Sequence, residues 1–137
     1  MTMLHRLPHG AYPSAGSVVW IRAYLVFKHK GLVTDRIVGG RPTVIANIPG
    51  VGVREQTWDE FADGQIPQLL LGFRYHLQWY VVKQRAYARM GTKYDLYTYN
   101  CDHFVNDAHG LPVISEQLEA MKALGLFVGV VALASAR

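Results

Sequence analysis

Strand-forming segments are concentrated in the first third of this chain, and helix-forming segments follow them. Segments rich in β-branched and aromatic residues predict strands at Ser17–Ile21, Leu25–Val33 and Thr43–Ile48. Gly39 and Gly40 predict a turn between the second strand and the third. This order predicts an α+β fold, in which an antiparallel sheet packs on helices from later in the sequence.

The later segments carry signals for the starts and ends of helices. Thr57, followed by acidic residues, predicts the N-cap of a short helix that ends by Gly64. The segment Val81–Met90 predicts a second helix, with Gly91 as its stop. The apolar run Gln68–Tyr80 fits both the helical and the strand periodicity, and a strand through part of it is favoured.

A further helix is predicted to begin after Asn100, which is a favoured N-cap residue. Cys101, in the first turn, shares one apolar face with Phe104, Val105 and Ala108. Asp102 and His103 point away from that face and are predicted to have structural roles. Free backbone N–H groups and the helix dipole favour the thiolate at such a position, which predicts an activated nucleophile. A buried cysteine that only fills space is the common alternative.

His29 is the candidate partner of Cys101. Alternation along its strand places His29 on one face with Leu25, Phe27, Gly31 and Val33, and places Lys28, Lys30 and Thr34 on the other. If the His29 face packs under the cysteine helix, the imidazole can take the thiol proton and return it to a leaving group. The Cys101 backbone N–H is suited to help stabilise an oxyanion. Because Cys101 is the single cysteine, an intramolecular disulfide is excluded and a thiolate zinc site is not indicated.

Two segments resemble a known family: His29-Lys30-Gly31-Leu32-Val33 and Tyr99-Asn100-Cys101-Asp102-His103-Phe104-Val105. They are similar to the H-x-G and N-C-[ED]-H-F boxes of the lecithin retinol acyltransferase-like branch of the NlpC/P60 superfamily. The resemblance covers about Gly16 to Gly110 and implies a circularly permuted NlpC/P60 papain-like fold, with histidine before cysteine. It implies Cys101 as nucleophile and His29 as general base, with an acyl group passing through a thioester. It implies no metal and no organic cofactor.

The chain departs from the family at one position. The family often supplies a second histidine, from the strand after the first box, to orient the base, whereas this chain has Ala46 followed by Asn47. The Asn47 amide oxygen can accept the proton of the second imidazole nitrogen. A shift or bulge is needed, because Asn47 and Ala46 face opposite ways. Without it, a backbone carbonyl orients His29 or the site is impaired.

The chain divides into three predicted parts: an N-terminal extension over residues 1–15, the family-like domain over 16–112 and a C-terminal apolar helix over 113–137. Ser115 predicts the cap of that helix, and Ala123–Ala136 is continuously apolar. As a helix this segment is about 21 Å long, short of the ~30 Å hydrocarbon core of a membrane. Gly125 and Gly129 form a GxxxG pair. The tail therefore predicts a buried helix, association with a membrane surface or self-association.

The composition limits the kinds of partner that the chain is expected to bind. The net charge of +4 suits an anionic partner, but the basic residues are scattered, so nucleic-acid binding is not predicted. His and Pro residues interrupt Met1–Pro13, so no signal peptide is predicted. The expected location is cytoplasmic, with membrane association through the C-terminal segment as an alternative.

Three functions stay open at this point. The first is a thiol hydrolase or acyltransferase acting on a lipid ester or amide bond. The second is an NlpC/P60-type peptidase or amidase acting on cell-wall peptide, and the third is a catalytically silent binding or assembly module of the same fold. An apolar groove would favour a lipid substrate, and a polar groove would favour a peptide.

Overall fold

The computed structural model describes residues 11–23 and 27–125. Within these ranges the strands are β1 Val18–Arg22, β2 Lys28–Val38, β3 Arg41–Ile48, β4 Gly52–Gln56 and β5 Gln68–Leu69. They form one antiparallel sheet in the order β4-β3-β2-β1-β5. The helices in the same ranges are α1 Trp58–Ala62, α2 Trp79–Ala88, α3 Cys101–Ala108 and α4 Glu116–Leu124. The predicted α+β class with an antiparallel sheet is confirmed.

The strands differ from the prediction in three places. Strand β2 continues to Val38, whereas the predicted strand ended at Val33. The sequence pattern predicted no strand after Ile48, yet the chain turns there and returns as β4. β4 is an edge strand in which Val53 is the single buried apolar side chain, so it carries little hydrophobic alternation. The ambiguous run after Pro67 is a strand only over Gln68–Leu69.

The sheet is buried on both faces. On one face Leu32 of β2 packs with Phe104 and Val105 of α3, and α2 joins the same cluster. On the other face Val33 packs with Phe61 of α1. The sheet is therefore a central layer, with α1 on one side and α2 and α3 on the other.

The helix starts predicted at Thr57, Asn100 and Ser115 are confirmed by their caps. The helix predicted over Val81–Met90 instead runs over Trp79–Ala88 and has no side-chain cap. The Asn100 side chain accepts hydrogen bonds from the backbone N–H groups of Asp102 at 2.9 Å and His103 at 3.2 Å. His103 Nδ1 accepts in return from the Asn100 N–H at 2.8 Å, which completes a capping box. Thr57 and Ser115 cap α1 and α4 in the same way through their hydroxyls. Cys101 is thereby fixed as the first residue of α3.

The apolar tail lies mostly outside the described residues. α4 ends at Leu124, and Gly125 takes the left-handed conformation that commonly ends a helix. Among residues 11–23 and 27–125, no helix is long and apolar enough to span a bilayer. The expectations for Gly129, for the rest of the tail and for residues 1–10 of the N-terminal extension lie outside the described residues.

His109, at the end of α3, is a buried imidazole with 1 % exposure. Its Nε2 lies 2.8 Å from the Gly16 carbonyl oxygen, which only accepts, so Nε2 carries the proton. The rings of Phe73 and Tyr75 meet the imidazole edge-on. Burial lowers the pKa of His109, so the ring is held in its neutral form.

We expect the free energy of unfolding to fall as the pH is lowered from about 7 to about 5. The unfolded chain binds a proton at His109 near about pH 6.5, whereas the folded chain binds it only at lower pH, so stability is lost as the pH falls. Urea unfolding across this range should show a flatter pH dependence for His109→Gln, which keeps a donor but does not titrate. Burial lowers the pKa of His103 too, and this residue is present in both proteins. Parallel pH profiles for the two proteins would contradict the prediction.

Candidate active site

Cys101 is buried, with 8 % exposure, and its thiol donates to the Lys28 carbonyl oxygen at 3.6 Å. Burial and the carboxylate of Asp102 raise the pKa of Cys101 to about 12, against smaller lowering effects of the Lys30 backbone N–H and the Lys30 ammonium. The pKa of Cys101 is thus raised rather than lowered at this helix start, because burial outweighs the groups that stabilise the thiolate. At neutral pH the resting sulfur is a thiol.

His29 lies on the face of the sheet that packs on α1. Its ring stacks on Phe61 with centroids 5.4 Å apart and an interplanar angle of 28°. The prediction placed this face under the cysteine helix, but α3 packs on the opposite face, where Leu32 points. The alternation was assigned correctly. It does not reveal which helix covers which face when both faces are buried.

The Cys101 sulfur nevertheless reaches β2 beside His29. The ladder between β2 and β3 begins at Gly31, opposite Ala46, so the preceding segment Lys28–Lys30 pairs with β1 alone in the described ranges. At that open edge the thiol bonds the Lys28 carbonyl, and the Lys30 backbone N–H also acts on the sulfur. These two backbone groups flank His29. The sulfur thus lies at the edge of β2 next to the histidine backbone, while the imidazole occupies the α1 side.

Gly31 explains the H-x-G pattern in physical terms. A Cβ atom at Gly31 would lie 2.6 Å from Cε1 of Phe61 and would also collide with Cγ1 of Val44. The missing side chain lets the Phe61 ring approach β2 and stack on His29. Phe61 therefore fills the space that the missing side chain of Gly31 leaves beside His29.

Asn47 does not take the predicted orienting role in this structure. It is fully buried on the α3 side, and its Nδ2 donates to the backbone carbonyls of Tyr99 at 2.7 Å and Asn100 at 3.3 Å. The register continues regularly from Val44 to Ala46, so the required shift is not found there. Ala46 lies on the Phe61 side with the histidine face. Asn47 instead anchors the backbone that leads into Cys101.

A buried ion pair next to Cys101 was not found from the sequence. Lys30 Nζ lies 2.7 Å from the carboxylate of Asp102, and the two side chains are 12 % and 2 % exposed. Asp102 also accepts from Ser115 Oγ at 2.7 Å and from Gln117 Nε2 at 3.0 Å. The sequence predicted a structural role for Asp102, and these contacts agree with it. The sequence did place Lys30 on the strand face opposite His29. Its partner Asp102 lies 72 residues later in the chain, so no local sequence pattern could predict the ion pair.

A cavity of about 370 Å³ opens beside His29. A second cavity, of about 580 Å³, adjoins it and shares Arg22 and Gln65 in its lining. The His29 cavity has apolar walls formed by Ile21, Ile48 and Phe61 and polar walls formed by Gln56, Glu60 and Asp63. Such a mixed lining suits a substrate with polar groups along its length.

The described residues, 11–23 and 27–125, contain no cluster of metal-ligating side chains. No group of three or more His, Cys, Asp or Glu side chains within these residues is arranged to hold an ion. Comparison of the chain with protein-family models, curated proteins and solved structures gives no match. The function is therefore argued from the site itself.

Proposed function

We propose that this chain is a cysteine-dependent hydrolase or acyltransferase with a circularly permuted, NlpC/P60-like arrangement. Cys101 is the residue that becomes acylated, and His29 is its general base. The observation that supports the proposal most strongly is the 3.6 Å contact between the Cys101 sulfur and the carbonyl of Lys28, the residue before His29. Strand β2 and helix α3 are far apart in sequence, and this contact supports the proposal because it holds the Cys101 sulfur at the strand edge beside the His29 backbone.

The chemistry would proceed in two acyl-transfer steps. The Cys101 sulfur attacks the substrate carbonyl carbon as its proton passes to the imidazole of His29. The bond to the leaving amine or alcohol breaks, His29 gives that group the proton, and a thioester remains on Cys101. Water or a second acceptor, deprotonated by His29, then attacks the thioester and releases the sulfur. The free backbone N–H at the start of α3 would stabilise the oxyanion in both steps.

The proposal requires a movement of His29. In the resting structure the ring stacks on Phe61, so it turns toward the open edge of β2 when it receives the proton. Opposite Lys28–Lys30 this edge has no β3 partner in the described ranges, and the Gln117 side chain covers it at Lys28. The imidazolium formed by this transfer would offset part of the cost of burying the thiolate, because burial is the main cause of the raised pKa of Cys101.

Among substrates, the lining of the cavity beside His29 favours an amide over a lipid ester. Its walls combine apolar side chains with carboxylates and amides, as suits a peptide-like chain. We therefore propose an N-acyl or peptide bond as the one that is cleaved or transferred.

One specific arrangement favours a catalytically silent module instead. The thiol is buried with a pKa of about 12, and the His29 ring packs against Phe61. In that case Cys101 is a space-filling residue and the cavity beside His29 binds a partner without chemistry.

Trapping of the thioester distinguishes the two functions. On incubation with p-nitrophenyl acetate, intact-protein mass spectrometry should detect an acetyl group on Cys101 that neutral hydroxylamine removes. Cys101→Ala should abolish this adduct, and His29→Ala should slow its formation by about 100-fold, a typical loss for a general base. His76→Ala, which removes an exposed histidine, is the matched control and should acylate at the wild-type rate. Equal acylation of His29→Ala and wild type would establish the silent module.

A further inference from the structure

The two outer edges of one strand pair are covered by glutamine side chains. Arg22 of β1 and Lys28 of β2 are ladder partners. Gln65 accepts from the Arg22 N–H at 2.8 Å and donates to the Arg22 carbonyl at 2.8 Å. Gln117 of α4 accepts from the Lys28 N–H at 2.7 Å and donates to the Lys28 carbonyl at 3.0 Å. A carboxamide carries the donor and acceptor of a peptide unit, so each glutamine makes the two bonds that a neighbouring strand would make.

Only one of these edges adjoins the sulfur. The Lys28 carbonyl that accepts from Gln117 also accepts from the Cys101 thiol at 3.6 Å. An amide in the position of the Gln117 carboxamide is therefore next to the nucleophile. The Gln65 carboxamide occupies the equivalent position on the far edge of β1.

Helix α4, which carries Gln117, has few apolar anchors. Its buried residues Leu118 and Met121 form a small cluster with Phe27, separate from the two clusters that cover the sheet. Leu124, at its end, is 72 % exposed. Polar contacts with Lys28 and Asp102 add to this small cluster. A helix held in this way can leave the sheet without disrupting the core.

We propose that an extended peptide substrate adds to the edge of β2 at Lys28 in place of Gln117, and that α4 is the cover that keeps Cys101 buried until then. This assignment rests on the proposed function. Strand addition of this kind takes its affinity from main-chain hydrogen bonds, which the Gln117 carboxamide now occupies. Displacement of α4 exposes the sulfur at the moment when a substrate carbonyl reaches it.

Alkylation of Cys101 by iodoacetamide tests the cover, since the chain has a single cysteine. Gln117→Met keeps the length of the side chain but loses its two hydrogen bonds with Lys28 and its one with Asp102, and we expect its alkylation rate to rise about tenfold. Gln65→Met removes the matching carboxamide from the other edge and should alkylate at the wild-type rate. Circular dichroism shows whether both variants keep the fold. A wild-type alkylation rate for folded Gln117→Met, or an equal rise in Gln65→Met, would overturn the proposal that α4 covers Cys101.

The peptide assignment has its own readout in the Gln117→Met protein. A blocked trialanine peptide should slow alkylation of Cys101, and the same peptide with its central amide N-methylated should not, because it cannot pair with the Lys28 carbonyl. Equal slowing by both peptides, or slowing by neither, would overturn the assignment. Faster alkylation of Gln117→Met, together with an acylation rate that does not depend on His29, would support α4 as the cover of Cys101 and reject the proposed enzymatic function. Acylation that depends on His29, with unchanged alkylation in Gln117→Met, would reject the cover alone.

Discussion

Replacing Asp102 with alanine is expected to lower the free energy of unfolding by about 3–5 kcal/mol, the typical cost of leaving one member of a buried ion pair alone. The Asp102 carboxylate is 2 % exposed and pairs with Lys30, which is 12 % exposed. Its loss leaves the Lys30 ammonium with little solvent and removes the acceptor of Ser115 and Gln117. Urea unfolding of the variant and the wild type measures the difference.

Two further variants show whether the cost comes from the buried charge. Lys30→Met combined with Asp102→Ala should be less destabilised than Asp102→Ala alone, because no charge is then left without its partner. Lys83→Met breaks the exposed pair with Asp35 and should cost less than about 1 kcal/mol. If Asp102→Ala lowers the free energy of unfolding no more than Lys83→Met does, the pair of Lys30 and Asp102 does not stabilise the site.

Gly31→Ala is expected to destabilise the protein by about 1–3 kcal/mol, as overpacking of a well-filled core does. The added methyl group would lie 2.6 Å from the Phe61 ring and would collide with Val44. Because Phe61 stacks on His29, the substitution should also displace the imidazole. Thermal or urea unfolding gives the energetic cost.

The collision with Val44 provides the control. In a Val44→Ala background the nearest obstacle is removed, so adding the Gly31→Ala change should cost less than it does in the wild type. A cost that is the same in both backgrounds would show that the methyl group is accommodated by another route.

Local sequence signals were sufficient to predict the helices that begin at a capping residue. Thr57, Asn100 and Ser115 each cap a helix where the pattern predicted one. Cys101 therefore lies at a helix start, as expected. Strand β4 was missed because an edge strand with one buried apolar side chain, Val53, shows almost no alternation.

The arrangement of the site could not be predicted in the same way. Alternation in β2 shows that His29 and Gly31 share a face, but not that Phe61 of α1 covers it. The raised pKa of Cys101 comes from burial, which depends on the whole fold. Gln117 reaches the backbone of Lys28 from the far end of the chain, a contact that no local pattern encodes.

The direct test of the central claim is the pH dependence of Cys101 acylation by p-nitrophenyl acetate in the wild type and in His29→Ala. If His29 is the base for Cys101, the wild-type rate should rise between about pH 5 and 8, where imidazoles lose their proton, and then level off. The variant should lack that step and rise only toward high pH, as an unassisted thiol does. Superimposable profiles would show that the imidazole beside β2 does not act on the sulfur.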